Sequence, residues 1–594
     1  MGLRQKRRRW VGLLGGLLAI VISGLGLTGC NLDRFRADAV QVPEIISSFL
    51  GDPQTFNFAL SSTSPNVFGL IYEGLITSNG LTGELEPALA ETWEIADDNR
   101  QITFRLREGL RWSDGQPLTT DDVVFTYQDI YLNEAIPAGA RDILRVGVAG
   151  ALPTVEKLDD RQVIFRVPEP FAPFLRNTGL PILPRHVLAE SVHTLDTNGK
   201  PHFLSTWGVG TPPQEIVTNG MYTIASYVTG QRIVLQRNPY YWRRSPSGEQ
   251  QPYVQRFVWK IIENRDTQLL KFRSGDLDMA EPMRPEDFPL LKREEKRGNF
   301  RVEMGGPRPG TVFIAFNLNK GSRNGKPLVD PIKSKWFNTL PFRQAVAYAI
   351  DRDKMIANTF RGLGAKINSP LTSQSPYYLP PEAGLRVYNY DPEKAKQLLL
   401  GTGFRYNDRN ELIDAEGNRV RFTLLTNAEN TIRVSMAAQI KQDLARIGIQ
   451  VDFTPIAFSA LVDKLGNSLD WECHLLGFTG GVEPNAGFNI WSPDGSLHSF
   501  NQKPLPNQPP ITGRQVADWE QEIGDLYIQG AQELDEAKRK EIYAKTQMIA
   551  QEQVPFIHLA TELLMSAVRN TIQGVQFSDL EGALWNLYEI QVTP

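Results

Sequence analysis

Cysteine is almost absent from this chain of 594 residues, which carries only Cys30 and Cys473. A folded body of that size with so few thiols rests on its core rather than on disulfides. Cys473 lies in the apolar run Trp471 to Phe478 and reads as a small buried hydrophobe. Histidine is scarce as well, with six residues scattered at His186, His193, His202, His474, His498 and His558. Only Cys473 and His474 are neighbours, and adjacent strand residues point to opposite faces, which makes them poor co-ligands. The chain has no G-x-S-x-G elbow, no H-E-x-x-H, no P-loop and no cysteine cluster. Its expected complement of catalytic residues, metal sites and cofactors is therefore none. After residue 29 no apolar run is long enough to cross a bilayer, so the mature part reads as soluble. An excess of positive charge is missing too: 63 basic residues face 67 acidic ones. Without the first 29 residues the basic count drops to 58, a net charge of −9, which disfavours nucleic acid as a partner.

What the chain does have is a distinctive start. Lys6, Arg7, Arg8 and Arg9 precede the uncharged, Gly-rich, largely apolar stretch Val11 to Gly29, and Leu27-Thr28-Gly29-Cys30 follows the order of a secretory cleavage site. The ending resembles the lipobox of bacterial lipoproteins, which implies that Cys30 becomes an acylated first residue. An uncleaved membrane anchor is the rival reading, and the glycines at 12, 15, 16, 24, 26 and 29 argue against it. Arg7-Arg8-Arg9 also loosely resembles a twin-arginine signal. Gly24-x-Gly26-x-x-Gly29 matches a dinucleotide fingerprint but lacks the strand before and the helix after that such a site requires.

The remaining length calls for two or more domains. Ile102, Phe104 and Leu106 alternate with polar residues, as do Val163, Phe165 and Val167, and both stretches read as half-buried strands. Thr119 caps a helix that has Asp122 at its third position. Phe313 to Asn319 reads as a buried strand. Pro341 starts a helix with Phe342, Ala345, Val346, Ala349 and Ile350 on one stripe. Asp391-Pro392 caps another helix, and Met436, Ile440, Leu444 and Ile447 line a third. Late helices are expected at about 514–530 and 535–552. The Pro/Gly-rich passages 243–252, 303–310 and 500–513 read as surface loops or interdomain crossings. The class is mixed α/β with no internal repeat.

Several blocks then carry a resemblance. Pro87-Ala88-Leu89-Ala90-Glu91-Thr92-Trp93, Thr103-Phe104-Arg105-Leu106-Arg107-Glu108-Gly109, Trp112-Ser113-Asp114-Gly115 and Asp121-Asp122-Val123-Val124-Phe125 occur in order. Gly275-Asp276-Leu277-Asp278, Asn317-Leu318-Asn319, Phe342 to Arg352, Tyr390 to Ala395 and Gln439 to Val451 continue the series. Together they resemble family 5 extracellular solute-binding proteins, the oligopeptide-, dipeptide- and nickel-binding components of bacterial ABC importers. The resemblance implies a two-lobed periplasmic-binding-protein-like α/β fold of type II, in the large peptide-binding subclass with an extra domain in lobe one. The expected division is a signal at 1–29, a tether at 30–45, lobe one at 46–310 with an inserted domain at about 76–205, lobe two at 311–555, and a C-terminal return to lobe one at 556–594. It also implies a peptide ligand, an ABC permease with separate ATPase subunits as partners, membrane attachment through lipid, a place outside the cytoplasmic membrane, and a monomer.

The ligand residues follow less closely. Dipeptide binders of the family hold the substrate amine with an Asp after a G-W-x-x turn; here the turn reads Gly477-Phe478-Thr479-Gly480-Gly481-Val482-Glu483-Pro484, with Gly481 at the Asp position. Glu483 either serves the amine or is the acidic partner before proline. No basic residue precedes Asn427, where Leu425-Thr426 stands, and Arg433 is the nearby alternative for the carboxylate. Ser62 and Thr63 fall in the early cleft-lining segment, and Asn485, Asn489 and Trp491 follow the Gly turn. Ordinary loop packing is the competing account for each. The pattern favours longer peptides held by their backbone over strict dipeptides. A nickel chelate, a sugar oligomer, or a receptor or chaperone role on the same fold are the alternatives.

Overall fold

The computed structural model describes residues 42–61, 67–147, 149–505 and 508–593. Cys30, Ser62 and Thr63 lie outside them. The compact body starts at Pro43 and contains two large hydrophobic cores, the mark of a two-lobed molecule. The first core gathers Ile45, Phe104, Tyr127, Phe165, Tyr222 and Phe257, and it also takes in Ile572, Leu587 and Ile590 from the far end of the chain. The second gathers Phe313, Phe342, Ile440, Tyr543 and Phe556.

In lobe one, strand Glu44–Phe49 pairs in parallel with Arg256–Ile261, and Arg232–Arg237 and Tyr222–Val228 extend the sheet antiparallel. A second, wholly antiparallel sheet holds Ala90–Ile95, Gln101–Leu106, Gln162–Arg166 and Thr154–Lys157. Ile102, Phe104 and Leu106 face inward as their alternation requires. Strand Gln162–Arg166 departs from the expected alternation, with Val163, Ile164 and Phe165 all buried, because both of its faces are covered. The helix Thr120–Phe125 has the expected capping box: Asp121 N–H and Asp122 N–H meet the Thr119 side chain, and Asp122 accepts from Thr119 N–H at 3.0 Å.

In lobe two a five-stranded sheet runs in the order Gln450–Ile456, Arg421–Asn427, Cys473–Phe478, Thr311–Phe316, Phe556–His558. The first three are parallel and the last two antiparallel to their neighbours. Helices Leu340–Ala349 and Thr431–Ala445 bury the stripes read from the sequence. The late helices span Asp518–Gln532 and Glu536–Gln553. The first starts four residues later than expected because Arg514 is spent elsewhere, donating to the carbonyls of Asn501 at 2.9 Å and Pro493 at 2.7 Å. The passage 500–513 is likewise no simple surface loop, since Phe500, Asn501 and Gln502 are buried.

The lobes are joined by two chain crossings that run side by side. Strand Phe300–Pro307 leads into Thr311–Phe316, and Phe556–His558 leads back into Ala560–Arg569. Arg308 N–H donates to Glu562 at 3.0 Å and Leu559 N–H to Val312 at 2.9 Å, which ties the crossings to each other. Strand Ala560–Arg569 lies between Met279–Ala280 and Phe300–Pro307, and its start also pairs with Gly364–Lys366. Gly310, at φ +119°, sits where an added Cβ would lie 2.5 Å from the Phe478 carbonyl, so the crossing admits no side chain there.

Candidate functional site: the cleft between the lobes

The parallel strands Arg421–Asn427 and Cys473–Phe478 end at the same edge of lobe two, and the turn 479–487 and helix Thr431–Ala445 start there. Ligands of open α/β sheets bind outside the carboxyl ends of such strands. This edge brings Asn427, Arg433, Phe478, Gly481 and Glu483 into one neighbourhood.

Their individual geometry sorts them. Gly481 is exposed and nothing lies within 4 Å of where its Cβ would be, so the turn leaves open space at that point. Phe478 ends its strand with its ring 5.0 Å from Phe313 and 6.0 Å from Phe556, forming the apolar floor. Arg433 sits in a first helical turn whose cap, Asn430, accepts from Arg433 N–H at 3.0 Å; its Nη1 donates to Asn427 Oδ1 at 3.0 Å. Asn427 thus positions the guanidinium rather than standing alone.

Of the five remaining expected residues, four are taken up by packing. Glu483 caps the turn Pro484–Gly487 and binds Arg539 Nη2 at 2.8 Å, both side chains being largely buried, so its carboxylate is the structural partner before proline and not a free amine anchor. Thr426 is fully buried and its hydroxyl donates to the Leu475 carbonyl at 2.9 Å. Trp491 is 4% exposed with its ring against Phe556 at 5.5 Å and Phe500 at 6.5 Å, a core side chain. Asn485 is buried in the turn. Asn489 is half-buried, and its carbonyl accepts from Leu497 N–H at 3.0 Å.

Sequence reasoning passed over the partners. Arg539 donates to Gly530 at 2.7 Å and reaches Tyr377 as well as Glu483. Arg176, from lobe one, donates to Gly83 and Ser78 at 2.8 Å, and the Glu483 carboxylate and Tyr377 of lobe two act on it electrostatically. Nearby, Ala172 N–H donates to the Ala531 carbonyl at 2.7 Å and Ser496 to Asp142 at 3.2 Å. These two bonds join the lobes through residues outside the crossings. No local signal announces such pairs, since most of the partners lie tens to hundreds of residues apart in sequence.

Cys473 and His474 are both fully buried in their strand. Burial drives the His474 pKa down to about 3 and the Cys473 thiol well up. Among the described residues no group of three or more His, Cys, Asp or Glu side chains is arranged to hold a metal ion, and no helix is long and apolar enough to cross a membrane.

Two lobes with separate cores, two side-by-side antiparallel crossings and a strand-end cleft define the class: an α/β solute-binding fold of the periplasmic type. The family profile of bacterial extracellular solute-binding proteins, family 5 (middle region), matches residues 84–497, and the chain belongs to that family. A Deinococcus radiodurans protein described as a probable ABC transporter-binding protein is 30% identical over 549 residues, 88% of each chain. The oligopeptide-binding protein AppA of Bacillus subtilis, solved with a nonapeptide, superposes with a TM-score of 0.74 at 21% identity, covering 93% of this chain and 99% of that one. The Agrobacterium fabrum protein MelB, solved with stachyose, gives a TM-score of 0.75 at 20% identity over 93% of this chain and 85% of that one.

Proposed function

We propose that the protein is a lipid-anchored receptor that captures peptides, oligopeptides rather than dipeptides, and delivers them to a membrane permease whose ATPase is a separate subunit. The observation that carries the oligopeptide reading is the open space at Gly481 together with the commitment of Glu483 to Arg539. With no carboxylate fixing an amine at that turn, a ligand is free to extend past it, held by main-chain hydrogen bonds that satisfy its buried N–H and C=O groups. Cys30 is the acylated residue, residues 30–45 the tether, 46–310 with 556–594 lobe one, and 311–555 lobe two. Ligand favours the closed arrangement only by binding it better than the open one. The chain performs no chemistry of its own.

Mass spectrometry of material released by denaturing the protein, purified without its signal, tests this. Peptides longer than two residues are the expected result. A sugar or a metal chelate would retain the fold and remove the peptide assignment.

A further inference from the structure

His498 is fully buried in lobe two, yet each of its ring nitrogens meets an oxygen that accepts hydrogen bonds. Nδ1 lies 2.9 Å from the Ile490 carbonyl, and Nε2 lies 3.0 Å from Glu520 Oε2. A neutral imidazole owns one N–H and cannot serve both. A carbonyl never donates, so Nδ1 carries a hydrogen, and a second proton lies between Nε2 and Oε2. Oε2 also accepts from Asn501 Nδ2 at 2.7 Å, and the other hydrogen of that amide goes to the Gln515 carbonyl at 2.8 Å. Glu520 is therefore the acceptor and the proton belongs to Nε2, which makes the pair an imidazolium beside a carboxylate. His474 shows the alternative: both of its ring nitrogens are buried without a partner, and burial holds it neutral with a pKa of about 3.

Charged groups surround the pair. Arg514, ahead of helix Asp518–Gln532, donates to the carbonyls of Asn501 and Pro493 and acts on Glu520. Arg343, in Leu340–Ala349, also acts on Glu520. Asp494 and Lys503, 3.5 Å apart, flank the loop itself. Both guanidiniums favour Glu520 as a carboxylate.

What the pair holds is a loop. Nδ1 ties residue 498 back to residue 490, and Nε2 ties it to the first turn of helix Asp518–Gln532. The chain between is tightly folded: Leu497 N–H donates to the Asn489 carbonyl at 3.0 Å, and an added Cβ on Gly495 would lie 2.0 Å from that same oxygen. Ser496, exposed on this loop, donates to Asp142 of the lobe-one helix Ala140–Leu144 at 3.2 Å. The helix that carries Glu520 ends near Ala531, whose carbonyl accepts from Ala172 N–H of lobe one. Both contacts between the lobes outside the crossings thus come from elements that the pair fastens together.

We propose that the proton between His498 and Glu520 is a staple: it fixes the loop 491–497 in the shape that meets lobe one, and its loss loosens the contact between the lobes. Without it Nε2 and Oε2 face each other as two buried lone pairs, and the ring has no hydrogen to offer the carboxylate. The staple is complete while the imidazole holds both hydrogens and is lost as rising pH removes one. Its direction is opposite to that of His474, which acid must force to ionise. Nothing in it depends on what the cleft binds.

Two measurements on the signal-free protein test this. Histidine-selective nitrogen-15 labelling, read by NMR at about pH 6.5, should show a buried ring with both nitrogens protonated. That ring should vanish in H498Q and carry a single N–H in E520Q, where the glutamine amide donates to a neutral Nε2. A single N–H on His498 in the wild type would overturn the proposal. Hydrogen exchange, corrected for the intrinsic rate at each pH, is then followed on peptides covering 491–498 and 140–147 from about pH 6 to about pH 9. Opening of both segments in the wild type should rise by up to about tenfold per pH unit, and E520Q should flatten both profiles. S496A keeps the pair and removes the contact, so its 491–498 profile should match the wild type while 140–147 stops responding to pH. Should H498Q fail to fold, E520Q and S496A still decide. Identical profiles in the wild type and E520Q would overturn the staple. A responsive 491–498 beside an unresponsive 140–147 in the wild type would overturn its link to lobe one.

Discussion

At the scale of single residues, burial decides chemistry more than residue type does. Cys473 is shielded and its thiol is pushed toward the neutral form, so in protein that starts at Asn31, and therefore lacks Cys30, thiol reagents should react negligibly with the native state and with one thiol per chain after denaturation. Glu483 and Arg539 form an ion pair with side chains 11% and 7% exposed. Replacing Glu483 by Ala strands a buried guanidinium, and urea unfolding should show a loss of about 3–5 kcal/mol. His474 and His558 stay neutral down to about pH 3 through burial, whereas unfolded they would protonate near pH ~6.5. Between those values the unfolded chain binds more protons, so each histidine removes roughly 1.4 kcal/mol of stability per pH unit as acid is added. Glu281 opposes them: with its folded pKa raised to about 7, the folded state is the one that gains a proton as pH falls toward the unfolded value. E281Q should therefore steepen the acid-side loss, measured as urea midpoints from pH 7 to 4.5. The Thr119–Asp122 box was readable because both partners lie within one turn; Glu483 with Arg539, or Arg308 with Glu562, was not, because only the tertiary fold brings them together.

Elements were the most legible level. The stripe Phe342, Ala345, Val346, Ala349 and Ile350 turned out wholly buried, as its spacing required. The strand Gln450–Ile456 follows Gly448, whose φ of +78° ends the preceding helical region. Failures came where a side chain was recruited from outside, as with Arg514 before the helix Asp518–Gln532, or where Pro- and Gly-rich composition suggested solvent and packing said otherwise, as around Phe500. Asn430 tests how far an element sets the site. Its side chain accepts from Arg433 N–H, so N430A should cost about 1 kcal/mol of stability. It should also weaken ligand binding by loosening the helix start that carries the guanidinium. Calorimetric titration beside thermal unfolding separates the two effects.

For the whole molecule the outline of the fold was legible through its motif blocks, while the ligand chemistry was legible only as a set of missing anchors. Closure should appear in solution as a smaller radius of gyration by X-ray scattering when ligand is added. At a ligand concentration of 100 Kd the native state should gain about 2.7 kcal/mol, seen as a raised Tm. Opening of the lobes should break the bond from Ala172 to Ala531, whereas the side-by-side crossings need only bend.

The strand Ala560–Arg569 adds a matter of timing. It is the middle strand of its sheet, flanked by Met279–Ala280 and Phe300–Pro307, yet it is synthesised long after both of them. The strands of the lobe-two sheet are all present once residue 558 has emerged. Its neighbour, by contrast, waits with two unpaired edges for a segment nearly three hundred residues downstream. A product terminated before residue 560 would carry those edges exposed and be prone to stick to other chains, so the strand Ala560–Arg569 acts as a completion check on elements made long before it.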